Sequence, residues 1–337
     1  DSIPKTNASS IRKYGPGATL AQDLEPEYIA VSHDSKTAWV TLQENNAIGV
    51  LDVEAGVFTQ LVGLGLKDHS RAGNGLDASD ADGGINIANW PVFGMYQPDA
   101  IESYRVGGVT YLVMANEGDT RAFTGFNEEA RLSTLTLDPT IFPNAAILKQ
   151  NANLGRLTVT RSTGDIDGDG DFDQILVPGG RSFSIRTTDG DLVFDSGDDF
   201  ERITAAQVPA AFNSNGTAAT FDTRSDNKGP EPEGVVVGKA FGRTYAFIGL
   251  ERTAGIMVYD ISDPFVAKFV QYVNTAPDDI SPEGLLFIKE DDSPNGKPLL
   301  VVSHEISSTT TIFEINKDDN KSNAVASAFP RSRVMAE

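Results

Sequence analysis

Cysteine is absent from the 337 residues. That excludes disulfides, thiolate zinc sites, iron–sulfur clusters and cysteine nucleophiles together. Histidine is scarce, at three. No Gly-x-Ser-x-Gly elbow, His-Glu-x-x-His pair or phosphate-cradling Gly-Lys-Ser/Thr motif is present. Basic residues are outnumbered: 27 Lys and Arg face 48 Asp and Glu, a net charge of −21. A phosphate backbone needs a basic surface, so nucleic acid is excluded as a partner. The excess points instead to a solvated acidic surface, to cation binding, or to both. No apolar run reaches about 18 residues, so no transmembrane helix is expected. The chain opens on Asp1 with no signal-like apolar stretch after it, so it is expected to be a processed form or a fragment. Helical periodicity is thin, with short pieces expected only at 127–137 and 205–212. The 32 Gly, 17 Pro and short apolar runs favour strands and turns.

What is present is a repeat. Glu25-Pro26-Glu27-Tyr28-Ile29 leads into Trp39-Val40-Thr41-Leu42-Gln43-Glu44; Gln97-Pro98-Asp99-Ala100-Ile101 leads into Leu112-Val113-Met114-Ala115-Asn116-Glu117. Glu231-Pro232-Glu233-Gly234-Val235 leads into Ala246-Phe247-Ile248-Gly249-Leu250-Glu251, and Ser281-Pro282-Glu283-Gly284-Leu285 into Val301-Val302-Ser303-His304-Glu305. The unit is Pro, carboxylate, apolar strand, turn, apolar strand ending in Glu, then an alternating strand. The two acids are 17, 18, 18 and 22 residues apart (44 − 27, 117 − 99, 251 − 233, 305 − 283). Short antiparallel strands repeated this way make the blades of an all-β propeller. A divergent fifth blade is expected over about 155–200, where Asp189-Gly190 offers a hairpin turn. Residues 1–317 are read as one β-propeller domain of about five blades, within a six- to eight-bladed ring if N-terminal strands complete it. Residues 318–337 are read as a polar tail. Insertions at 67–95, 118–153 and 201–230 exceed ordinary connections and are expected to decorate one face.

The sharpest motif is Asp165-Ile166-Asp167-Gly168-Asp169-Gly170-Asp171-Phe172-Asp173. Carboxylates at alternate positions of a glycine-bent loop converge on one hard cation, and five acids within nine residues repel one another without it. Asp165, Asp167, Asp169 and Asp173 are expected to offer side-chain oxygens to calcium, and Asp171 its carbonyl. The loop is not a full EF-hand, since Leu176 stands where a bidentate Glu belongs, and strands flank it. It resembles the calcium hairpin loops of integrin-type propellers.

The repeat also sets two series of acids. Glu27, Asp99, Glu233 and Glu283 start strands; Glu44, Glu117, Glu251 and Glu305 end the next ones. Antiparallel pairing puts a start beside a neighbouring end, so both series are expected at one axial mouth. They either cap backbone amides or hold cations that bridge to an anionic ligand such as phosphate. Arg121, Arg181, Arg224, Lys228, Arg252 and His304 lie in segments near that mouth. The breaks in the repeat, at 116–121 and 222–230, make Glu117, Asp119, Arg121, Arg224 and Lys228 the candidate catalytic residues. Asp195-Ser196-Gly197-Asp198-Asp199 is a weaker cation loop, and His69 is either a metal ligand or a turn residue.

Several segments resemble one family: Asp23-Leu24-Glu25-Pro26-Glu27, Gly73-Asn74-Gly75-Leu76-Asp77-Ala78-Ser79-Asp80, Tyr96-Gln97-Pro98-Asp99, Ala115-Asn116-Glu117-Gly118-Asp119 and Lys228-Gly229-Pro230-Glu231-Pro232-Glu233-Gly234. Together they are similar to the choice-of-anchor I proteins over about residues 12–316. The resemblance implies a secreted or surface-attached bacterial protein with a propeller-like domain, of which this chain matches the later part. Some members carry alkaline-phosphatase labels. Three functions are weighed. The first is an extracellular or cell-surface calcium-binding propeller that acts as a binding or structural module. The second is a calcium-dependent phosphoesterase, and the third a self-associating subunit of an extracellular filament or surface layer.

Overall fold

A computed structural model describes residues 3–317, 325–326 and 332–335. The chain is all-β and of propeller type, built around four-stranded antiparallel sheets, the first of them extended by Lys5–Thr6 in parallel beside Val57–Gly63. The first sheet contains Pro26–Val31, Thr37–Leu42, Ala47–Asp52 and Val57–Gly63. The third contains Pro232–Ala240, Arg243–Leu250, Ile256–Asp260 and Lys268–Val273. In the fourth, Pro282–Ile288, Leu299–His304 and Thr309–Glu314 are joined by Ser332–Met335. Part of the segment read as a tail therefore closes a sheet, Val325–Ala326 pairs with Asn316–Lys317, and the rest of it lies outside the described residues.

The second sheet corrects the sequence reading. Ile101–Val106 and Val109–Asn116 are completed by Ser182–Thr187, which pairs directly with Val109–Asn116, and by Leu192–Asp195. The strands expected in a fifth blade thus belong to the second repeat, split open by residues 117–181. Two further strands within 155–200 pair elsewhere. Thr158–Thr160 joins Glu129–Arg131, and Leu176–Val177 joins Phe93–Met95. Glu129–Arg131 also replaces the helix expected at 127–137, followed there by a single 3₁₀ turn. The expected helix at 205–212 begins earlier, as α1 at Asp199–Gln207. Asp199 and Glu201 in its first turn suit the positive end of the helix dipole, and Pro209 follows its end.

The sheets stack in chain order. Trp39, Ile48 and Val62 of the first pack on Leu112 and Met114 of the second. Val113, Phe183 and Ile185 meet Ile248, Met257 and Tyr259 of the third. Tyr245, Phe247 and Val258 meet Leu300, Val302 and Phe313 of the fourth. Each inner sheet therefore buries both faces, which explains its near-continuous apolar strands where a one-sided sheet would alternate. First strands of neighbouring sheets touch one another, so they lie innermost. The insertions at 67–95 and 117–181 share a separate core of Leu76, Val92, Leu132, Leu154 and Ile175.

Candidate functional site: an axial acid array and an aspartate loop

The repeated Pro-acid step has a repeated geometry. Pro26, Pro232 and Pro282 pair with Leu42, Leu250 and His304, and in each case the register slips across the next two residues. The residue before the proline is left-handed in three repeats, with φ of 42° at Gln97, 53° at Glu231 and 64° at Ser281. None of the three is glycine, so each carries backbone strain. The turn is held by its own carbonyl, which accepts from Gly118, Glu251 and Glu305 backbone N–H groups at 3.0, 2.8 and 2.8 Å. This lock brings the start of one strand beside the end of the next, and with them the two acids. Gly118 is required there. A Cβ at Gly118 would lie 2.1 Å from the nitrogen of Gly179, where residues 178–180 cross beneath Glu117.

The array divides into a neutralised part and an uncompensated part. Glu117, Glu231 and Glu251 present oxygens within 4.8 Å of one another. Three cations serve them. Lys228 Nζ lies 2.5 Å from Glu117 and 3.1 Å from Glu231; Arg224 donates to Glu231; Arg252 lies 3.4 Å from Glu231 and 2.9 Å from Glu251. Gln43 donates to the second oxygen of Glu117 at 2.9 Å. Burial opposes ionisation of Glu231, but Lys228, Arg224 and Arg252 outweigh it and hold its carboxyl low. Burial likewise opposes the Lys228 charge, and Glu117 and Glu231 outweigh it to keep the amine protonated. Three acids and three bases meet in this knot, and the acids are unequal: burial raises Glu117 despite Lys228, and raises Glu251 to about 8 with Glu231 and Glu117 adding to it. Glu231 and Gln43 stand in the repeat with no sequence mark of this role, although the break at 222–230 marks the segment that carries Arg224 and Lys228.

Glu27, Asp99 and Glu233 have no such service. Burial raises the Asp99 carboxyl to about 7, helped by Glu117, Glu27 and Glu283. Burial raises Glu233 to about 10, helped by Glu251, Glu117, Asp99 and Glu283, and its Oε2 is buried without a partner. Glu27 is raised by burial and by Glu25, Asp119 and Glu117. Glu44 is raised to about 8 by burial, with Glu25 and Asp119 adding to it. The two series thus meet on one face, except that Glu305 is exposed and perturbs none of these carboxyls.

The cations expected to receive an anion are already engaged. Arg121 holds Asp23 at 2.7 Å and Glu25 at 3.1 Å and stacks on Tyr14; Arg224 and Lys228 hold the knot. Arg181 is buried on Glu201. The acids of 195–199 diverge: Asp195 pairs with Lys67, Asp198 with Arg202, and Asp199 accepts from Tyr259. His69 is a buried turn residue with Nδ1 2.7 Å from the Asn74 carbonyl, and burial drives its ring down to about 3, hence neutral.

The aspartate loop is separate and more exposed. Gly168 and Gly170 adopt φ of 80° and 102°. Asp165 accepts from the N–H groups of Gly168 and Gly170 at 2.7 and 3.1 Å, and Asp173 from Ile166 at 2.6 Å. Oxygens of Asp165, Asp167 and Asp173 lie within 4.8 Å of one another. A second group joins Asp171 and Asp173 to Asp138. Asp138 arrives through a parallel bridge between Leu137 and Phe172, a contact no local pattern announces. Asp171 is raised by desolvation and by the neighbouring charges of Asp169, Asp138, Asp173 and Asp167.

The choice-of-anchor I domain profile matches residues 3–264. The chain belongs to this family. The matched part holds the first two sheets, the aspartate loop and three strands of the third sheet, and it ends before Lys268–Val273, short of the extent the sequence resemblance implied. The choice-of-anchor I chain is 29% identical over 195 residues to Gigasin-3a of Magallana gigas, covering 51% of this chain and 68% of that protein. It is 27% identical over 279 residues to a mesenchyme-specific cell surface glycoprotein of Strongylocentrotus purpuratus, and spans 72% of this chain but only 36% of that one. Among solved structures, the β-propeller domain of Myceliophteria thermophila Cps50 (Swd1) is similar at 9% identity, covering 93% and 74% of the two chains with a TM-score of 0.33. Periplasmic gluconolactonase PpgL of Pseudomonas aeruginosa is similar at 13% identity, covering 92% and 71%, with a TM-score of 0.29. The family assignment makes this choice-of-anchor I domain a surface-associated propeller module. Among the described residues no helix is long and apolar enough to cross a membrane.

Proposed function

We propose that this choice-of-anchor I domain is an extracellular, calcium-binding structural and binding module. The observation that carries the reading is the convergence of Asp165, Asp167 and Asp173 oxygens within 4.8 Å in a loop whose acids enter no ion pair among the described residues. An all-oxygen set in a flexible glycine turn suits calcium, which accepts irregular geometry, better than magnesium. Asp169 and Asp171 complete the set, and Asp138 adds a carboxylate from the facing segment. Calcium would tie residues 136–138 to the end of the 117–181 insertion and so stiffen the layer that decorates the propeller. The sea-urchin relative is by name a cell surface glycoprotein, which agrees with an outside location, where calcium is abundant. The engaged state of Arg121, Arg224 and Lys228 weighs against the phosphoesterase reading, since it leaves those side chains unavailable to a phosphate.

The test is thermal unfolding with calcium and with chelator. Calcium is expected to raise the midpoint of the wild-type protein. The Asp167→Asn/Asp173→Asn double variant is expected to lose most of that rise while matching wild type in chelator. Equal calcium responses from the two proteins would overturn the loop assignment.

A further inference from the structure

We propose that Arg186 anchors a small-ligand site between the first and second sheets, and that its ligand is a monocarboxylate with a short apolar body. The site is separate from the aspartate loop and from the axial acids, and it needs no calcium.

Arg186 stands where the packing calls for an apolar side chain. It lies directly opposite Leu112 in the second sheet, so the two share a face, and Leu112 packs on Trp39, Ile48 and Val62 of the first sheet. Arg186 is 2% exposed. Its Nη1 donates to the Gly190 carbonyl at 2.8 Å, and its Cζ lies over the Tyr96 ring, 4.3 Å from the centroid. Nε and Nη2 are buried and have no hydrogen-bond partner among the described residues. Among those residues no carboxylate pairs with it either. Asp195 turns to Lys67 at 2.9 Å and accepts from the Ser182 hydroxyl at 2.8 Å, while Asp189 and Asp191 stand exposed. Burial lowers the guanidinium, with Tyr96, Asp195 and Asp191 acting against it. A buried cation with two unanswered donors is costly, and a methionine would pack at this position without that cost.

The guanidinium lines a cavity of about 270 Å³ between residues 62–66 and the hairpin turn at 187–191. Gly190 lets that turn press on the first sheet. Its φ is 89°, and a Cβ there would lie 2.3 Å from Val62 Cγ1. Val62, Leu64, Leu66, Tyr96 and Leu192 give the cavity apolar walls. Leu66 and Leu192 are exposed, so they border its opening to solvent. Apolar walls with one charged group are the makeup of a small-ligand pocket. Nε and Nη2 share one edge of the planar guanidinium, where two parallel N–H bonds match both oxygens of a carboxylate. Asp189 and Asp191 also line the cavity, and they repel a dianion more than a monoanion. A monocarboxylate therefore fits better than a phosphate.

The test is a ligand-observed NMR titration of the full chain, in chelator and at constant ionic strength, with butyrate, butyramide and inorganic phosphate as probes. Chelator removes any contact bridged by calcium, so the outcome does not depend on the aspartate loop. Butyrate is expected to bind with a dissociation constant on the order of 1–10 mM, and at least about tenfold more tightly than butyramide or phosphate. Arg186→Lys keeps the charge and loses the fork, and is expected to weaken butyrate at least about tenfold. Leu192→Trp fills the opening and leaves the guanidinium in place. It is expected to weaken butyrate while holding the unfolding midpoint near the wild-type value, which separates loss of the site from loss of the fold. The proposal is overturned if the wild-type chain binds no butyrate in the millimolar range, if butyramide or phosphate binds as tightly as butyrate, or if Arg186→Lys leaves butyrate binding unchanged.

Discussion

Replacing Lys228 with Met takes the ammonium out of the knot and leaves everything else in place. Glu231 keeps Arg224 and Arg252, so it stays ionised and paired. Glu117 keeps only the Gln43 amide and becomes a buried carboxylate facing Glu231 and Glu251. Breaking a buried ion pair from one side costs about 3–5 kcal/mol. With an unfolding entropy of about 2.1 cal/mol/K per residue, the 337-residue chain loses roughly 0.7 kcal/mol per kelvin, so Lys228→Met should lower the midpoint by about 4–7 °C. The assay is calorimetry in chelator near neutral pH. Adding Glu117→Gln removes the stranded charge, and the double variant should recover at least half of the loss. A drop below about 1 °C, or strictly additive losses in the double variant, would refute the claim that the knot is a coupled unit of ion pairs.

Glu233→Gln should stabilise the chelated protein more at pH 9 than at pH 5. The folded-state carboxyl is raised to about 10, so the folded state binds more protons than the unfolded one above the unfolded value, and wild-type stability falls as pH climbs through that window; equal effects at both values would contradict the assignment. Gly118→Ala should destabilise strongly, because the new methyl meets backbone rather than a movable side chain, and denaturant unfolding checks it. Phe183→Ala empties a core position whose ring lies tilted against Tyr259 with centroids 4.7 Å apart and should cost about 3–5 kcal/mol by the same measurement.

Much of this architecture is legible in the linear chain, because the repeated Pro-acid step is both a strand start and a turn lock. The two contiguous repeats that open and close on short hairpins, 26–63 and 232–273, are found with their strands in order. The second repeat is not, because apolar periodicity identifies a strand but not its partner. Nothing in Ser182-Phe183-Ser184-Ile185 says that it pairs across residues 117–181 with Val113 and Met114. The acids are likewise visible and their compensation is not. Lys228 reaches Glu117 over 111 residues of chain, and Arg12 reaches Glu128 over 116. Asp138 joins the loop acids only through the bridge at Phe172. Local sequence shows where charges are placed; long-range packing decides which of them are answered.

The central claim is that this surface module binds calcium through residues 165–173. The most direct measurement is the unfolding midpoint in saturating calcium minus that in chelator. At a calcium concentration about 100 times the dissociation constant, one site contributes about 2.7 kcal/mol, or roughly 4 °C on the entropy used above. The account predicts a rise of at least that size, most of it lost in Asp167→Asn/Asp173→Asn. A midpoint indifferent to calcium would contradict it.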